Sequence, residues 1–261
     1  MIKEASIICK PTTWFTFRAT VILLMLSVFS VMFYIDGTTG YRKKNLEYYL
    51  HATFEKAGKS FSDMKNSPSG ISAQSWSSFA KAQYVDFPKD PSLLPVGTKN
   101  PMAWPSILTD YQRMKDMQTH LLWREYSGEN GMTDKAKEHP FDAGKIREQI
   151  IVFYICLSLA VVTAYIFIRT MRRSLSVTES ELITVTGQRI AYSDMKSLDL
   201  RKWDTKGIAF IDFEGSKGKG RAKIDGLTYG GFKKEQNEPA EQLMRKIREH
   251  FSGEIIEYTA V

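Results

Sequence analysis

Two uncharged apolar runs constrain this chain more than any other feature. The first, ATVILLMLSVFSVMFYI, covers residues 19–35, and Thr12, Thr13, Trp14, Phe15 and Phe17 extend it on the N-terminal side. The second, QIIVFYICLSLAVVTAYIFI, covers residues 149–168. About 20 apolar residues at a rise of about 1.5 Å span a hydrocarbon core of about 30 Å, so both runs are expected to be transmembrane helices. Lys3, Lys10 and Arg18 could serve the first run as the basic start of a cleaved signal peptide. The run is long for that purpose, however, and YIDGTTGY behind it has no small-x-small cleavage pattern. The second run is apolar all round and stops at Arg169, Arg172 and Arg173, which marks a span rather than a buried soluble helix.

These spans divide the chain into an N-tail (1–18), a first span (19–35), a long loop (36–148), a second span (149–168), a basic juxtamembrane segment (169–173) and a C-terminal domain (174–258). Basic residues flank both spans on both sides, so charge counting alone leaves the orientation open. The fixed arginines after the second span favour the cytoplasm, and both termini are therefore expected inside. Residues 169–261 hold 17 Lys and Arg against 14 Asp and Glu, intermixed rather than striped, which gives no reason to expect nucleic acid as a partner. Cys9 and Cys156, one in the tail and one in a span, offer no disulfide framework.

The loop reads as helices joined by a proline-rich linker (86–105). Leu46, Tyr49, Leu50, Thr53, Phe54 and Ala57 recur at helical spacing, and Trp76, Phe79 and Ala80 mark a second helix between Ser72 and Tyr84. A third, the longest outside the membrane, is expected to start at Pro105 and run through Leu108, Tyr111, Met114, Met117 and Leu121 to Gly128. His120, His139, Glu138 and Asp142 are the only residues from which a metal or acid-base site could be assembled. They lack HExxH spacing or a cysteine pair, and no metal, cofactor or catalytic residue is expected. Asp142 is instead the expected N-cap of a helix entering the second span. Trp76, Trp104 and Trp123 read as core residues or interface anchors rather than a ligand box.

Past Arg173 the hydrophobic period shifts from 3.6 to 2. SLSVTES, ELITVTG, QRIAYSD, KSLDLRKWD, GIAFIDFEG and RAKIDG read as short antiparallel strands, with Leu175 and Val177, Ile190 and Tyr192, and Ile208 and Phe210 facing a core. Trp203 is expected in that core, at a strand end. Pro239 opens a final helix whose Leu243, Ile247 and Phe251 form one apolar stripe.

This order resembles the bacterial pleckstrin-homology-like domains, and the phrase carried by Ile190, Tyr192, Asp194, Met195, Leu198 and Asp199 is similar to one found in that family. The resemblance covers roughly the last third of the chain. It implies a seven-stranded bent barrel capped by a C-terminal α-helix, used for protein or lipid contacts and without a shared catalytic centre. The fold class expected for the whole is therefore membrane α plus α+β, in a bacterial cytoplasmic membrane.

The run GSKGKGRA from Gly215 to Ala222 is not a phosphate loop: Arg221 stands where a Walker A lysine would be, Ala222 where its hydroxyl would be, and a strand follows. Gly215, Gly218 and Gly220 are expected in a hairpin turn at positive φ. Lys217, Lys219, Arg221 and Lys223 alternate along one strand face, opposite Ala222 and Ile224. That row is either a charge-protected edge or, with Arg169, Arg172 and Arg173, a contact for anionic headgroups. The Lys-x-Arg signature of phosphoinositide-binding pleckstrin domains has no counterpart between Glu181 and Arg189. The expected function is a non-catalytic two-pass membrane protein whose C-terminal domain is an interaction or scaffolding module for a protein partner or a second copy. The alternatives are a transmembrane sensor working through the loop and, more weakly, a loop-borne hydrolase.

Overall fold

A computed structural model of the protein describes residues 6–215, 218–233 and 236–258. Two compact units divide the chain, one formed by the residues up to Ser27 with those from Leu157 onward, the other by Val28–Cys156.

Both apolar runs are helical: α1 spans Thr13–Ile35 and α6 spans Ala143–Met171, with four helices between them in sequence. Each is long and apolar enough to cross a membrane, and only 6% of each apolar window is buried, so these side chains are not the core of either unit. Five residues of π-helix, Asp36–Gly40, join α1 to α2 (Tyr41–Lys65) in one continuous helical run. Widening the turn loosens its carbonyls. Arg42 Nη1 binds two of them, donating to Gly37 O at 2.6 Å and Thr38 O at 2.7 Å.

In the Val28–Cys156 unit, α2 buries Leu50, Phe54, Ala57 and Phe61 against α3 (Ala73–Lys81), α4 (Tyr111–Asp116) and α5 (Thr119–Glu129). The single helix expected between Pro105 and Gly128 is broken into a 3-10 turn (Ser106–Thr109), α4 and α5. Asp110 causes the first break, since its carboxylate caps α4 by accepting from the Gln112 and Arg113 amides. Met117 and Gln118 adopt extended backbone and cause the second. The tryptophans are core: Trp76, Trp104 and Trp123 are buried, and their indoles donate to the carbonyls of Leu108, Tyr84 and Asp134. Asn45, fully buried on α2, donates to Leu93 O and Phe141 O and accepts from Phe141 N at 2.7 Å, fastening two loop segments. Asp142 caps α6 as expected, accepting from the Lys145 amide at 2.7 Å.

The other unit holds two four-stranded sheets. One has the order β1-β2-β3-β4 (Ile7–Cys9, Leu175–Val177, Glu181–Ile183, Arg189–Ala191), all antiparallel. The second has the order β7-β6-β5-β8 (Gly218–Asp225, Ile208–Gly215, Met195–Lys202, Glu254–Ile256), with β8 parallel to β5. The resemblance implies a seven-stranded bent barrel; these strands form two separate sheets that do not close into a barrel. The N-tail is also more than a tail: β1 pairs Ile7 with Val177 and Cys9 with Leu175. Cys9 is fully buried, and burial pushes its thiol up to about 12. Pro11 bridges to Tyr229, and the Thr12 amide donates to Thr228 O. Short α7 (Trp203–Lys206) and the helix α8 (Pro239–His250) complete the unit.

Trp203 lies in α7 rather than at a strand end, and it is core as expected: it is buried, and its indole donates to Glu241 Oε2 of α8 at 2.9 Å. Leu243 and Ile247 are buried and Phe251 packs against the same cluster. Ile208 and Phe210 do not face this core. Ala209 and Ile211 do, with Phe213 packed partly buried beside them, so the inward register of β6 lies one residue from the expected one. Ile208 and Phe210 on one face and Ala209 and Ile211 on the other are all apolar, so alternation alone does not fix which face turns inward.

Candidate functional site

Inverting β6 places Phe210 on the outer face of the β7-β6-β5-β8 sheet, and a cluster assembles around it. Register sets Phe210 between Asp199 of β5 and Lys223 of β7, and Asp212 across from Arg221. Asp199 is the centre. Its neighbours Leu198 and Leu200 face the core, which turns the carboxylate outward beneath a guanidinium cover. Arg201, two residues along and hence on the same strand face, grips it with a fork: Nε to Oδ1 at 3.0 Å and Nη2 to Oδ2 at 2.8 Å. Arg221 adds Nη2 to Oδ2 at 3.3 Å and an ion pair with Asp212. Its guanidinium also lies 4.7 Å from the centroid of the Phe210 ring. The Arg201 hydrogen bond, with help from both arginines' charge, holds the Asp199 carboxyl down at about 2. Asp199, Arg201, Lys202, Phe210, Arg221 and Tyr258 line a depression of about 510 Å³. Tyr258 is 75% exposed at its rim.

The basic row is placed as the alternation predicts. Lys219, Arg221 and Lys223 face solvent while Ala222 and Ile224 are buried; Lys217 lies outside the described residues. The row is not a free fringe, because Arg221 holds Asp199 and Asp212, Lys223 holds Asp225 at 2.9 Å, and Glu214 is the register partner of Lys219. Of the three glycines, Gly218 alone has positive φ, at 116°. Gly215 is small for a different reason, because the Asp194 carboxylate sits where a side chain would begin. Gly220 lies under the Phe213 ring in the same way.

Arg169 is in the last turn of α6, followed by Arg172 and Arg173, and with Tyr165 and Ile168 they line a shallow depression of about 400 Å³. Among the described residues no three His, Cys, Asp or Glu side chains gather where they could hold a metal.

Sequence reasoning identified Arg221 but did not join it to Arg201 and Lys202 of β5 or to Tyr258 just past β8. The available signal was the D-x-R spacing of Asp199 and Arg201, which puts opposite charges on one strand face. Comparison with protein-family models, curated proteins and solved structures finds no match.

Proposed function

We propose that this is a two-pass membrane protein whose C-terminal module is a non-catalytic interaction or scaffolding domain at the cytoplasmic face. The observation that carries this reading is the Asp199 cluster: a buried carboxylate orients two arginines outward around an aromatic ring, beside an exposed tyrosine. Arginine and aromatic side chains are the residues enriched at protein contacts, and guanidinium groups held in advance lose little freedom on binding. A protein partner or a second copy of the chain is therefore the expected occupant. The row of Lys219, Arg221 and Lys223 is largely matched by carboxylates, so Arg169, Arg172 and Arg173 are the stronger contacts for anionic headgroups.

Two further observations support the reading. Pairing of β1 with β2 builds the N-tail and the C-terminal strands into one unit, which requires them to lie on one side of the membrane, as an even number of crossings between them allows. Within the C-terminal third α8 follows the strands, as the closing helix does in the pleckstrin-homology-like family. Six described strands (β2 to β7) precede it there rather than seven, the seventh comes from the N-tail, and they form two sheets rather than a barrel.

The test is site-specific photo-crosslinking from Lys219 and Tyr258 in the full chain in its native membrane. A discrete adduct from either position, lost when Arg201 and Arg221 are both changed to Ser, is expected. No adduct from either position, or one indifferent to those changes, would contradict the assignment.

A further inference from the structure

A crevice between α1 and α6 has no part in the contacts above. Its walls are Ala19 and Ile22 from α1 and Thr163, Ile166 and Phe167 from α6, and it encloses about 260 Å³. Its mouth is built by a different part of the chain. The turn after β7 is tied to the start of α1, where the Thr12 amide donates to Thr228 O at 2.9 Å and its hydroxyl to Leu227 O at 3.0 Å. This leaves Leu227 exposed beside Trp14 and Arg18 at the crevice entrance.

We infer that this crevice holds one acyl chain of an anionic phospholipid whose phosphate is met by Arg18. The inference rests on reading α1 and α6 as membrane spans. Three features select that occupant. Apart from Thr163 the walls are apolar where an aqueous ligand would need several polar partners, and the volume falls below the range of about 300 to 1,000 Å³ usual for whole small-molecule ligands, which suits a single chain. Trp14 and Ile22 are separated by about 12 Å of helix rise, most of the depth of one leaflet. The charge at the mouth is positive. Arg18 has no ion pair among the described residues, and its guanidinium reaches back toward the helix start, 5.7 Å from the Trp14 ring, as a cation drawn to the headgroup layer does. The first turn of α1 has no acidic residue, so the positive end of its dipole adds to the same field.

The test uses the full chain, delipidated in detergent and titrated with phosphatidylglycerol or phosphatidylcholine of identical acyl chains, with retained lipid counted by native mass spectrometry. The wild type should retain phosphatidylglycerol about fivefold more strongly, the factor expected of one interfacial cation. Arg18→Gln should equalise the two lipids while keeping some of each, and Arg18→Lys should restore most of the preference. Ile22→Trp, which fills the crevice without altering charge, should reduce retention of both. Equal retention of the two lipids by the wild type, a preference unaffected by Arg18→Gln, or total retention unaffected by Ile22→Trp, would overturn the inference. Alkaline carbonate extraction separates its failure from that of the underlying reading. Protein that stays in the membrane but shows no lipid preference loses only the crevice, whereas protein released by carbonate loses the spans as well.

Discussion

Asp199 shows how one residue can organise a surface from beneath. Its side chain is 9% exposed, yet it is held charged because two arginines surround it. A carboxyl depressed in the folded state contributes stability that is present above its unfolded value of about 3.9 and is lost as pH falls toward about 2. Asp199→Asn should therefore flatten the loss of stability between about pH 4 and pH 2 in acid unfolding, and an unchanged acid limb would contradict the pairing. Trp203 is the corresponding residue in the core. Trp203→Ala should cost about 3 to 5 kcal/mol. Trp203→Phe keeps most of the ring but leaves buried Glu241 without its donor, so about 1 to 3 kcal/mol is expected from chemical denaturation. Equal stability of Trp203→Phe and wild type would show that the indole bond contributes nothing. In the other unit, Asn45→Ala strands a buried amide and two carbonyls and should cost about 2 to 3 kcal/mol.

Elements were legible in the sequence to the extent that their signals were long or unopposed. The two apolar runs and α8 declared themselves over many residues with one consistent pattern. The two breaks around α4 did not: Tyr111, Met114, Met117 and Leu121 keep helical spacing across the second, at Met117 and Gln118, and the first comes from the carboxylate cap at Asp110. The register of β6 was ambiguous because Ile208 and Phe210 compete with Ala209, Ile211 and Phe213 for the same core. β1 was illegible: three residues, Ile7–Cys9, acquire strand identity only from a partner beyond both apolar helices. That strand makes a sharp prediction. Residues 174–258 alone expose the edge of β2 and leave the Cys9 site empty, so they should unfold at markedly lower denaturant than the same segment preceded by residues 6–12 on a flexible linker. Equal midpoints for the two would remove β1 from the fold.

At the scale of the molecule, β1 near the start of the chain and the strands after α6 belong to one unit, with two helices long and apolar enough to cross a membrane between them. Composition bears on this through segments rather than averages. The mean hydropathy of −0.28 is that of a soluble protein, since it averages two apolar runs with two polar units. The Asp199 cluster, the arginines at the end of α6 and the crevice behind Arg18 are three separate features of the same unit, for which we propose a protein, headgroups and one acyl chain respectively. The most direct measurement of the central claim is a three-point topology assay in the native membrane, with dual reporters at the N-terminus, near Gly97 and after Val261. Cytoplasmic activity at both ends and exported activity only at Gly97 are expected. Reporters at the two ends that score on opposite sides of the membrane would contradict the account, because β1 and β2 could not then pair.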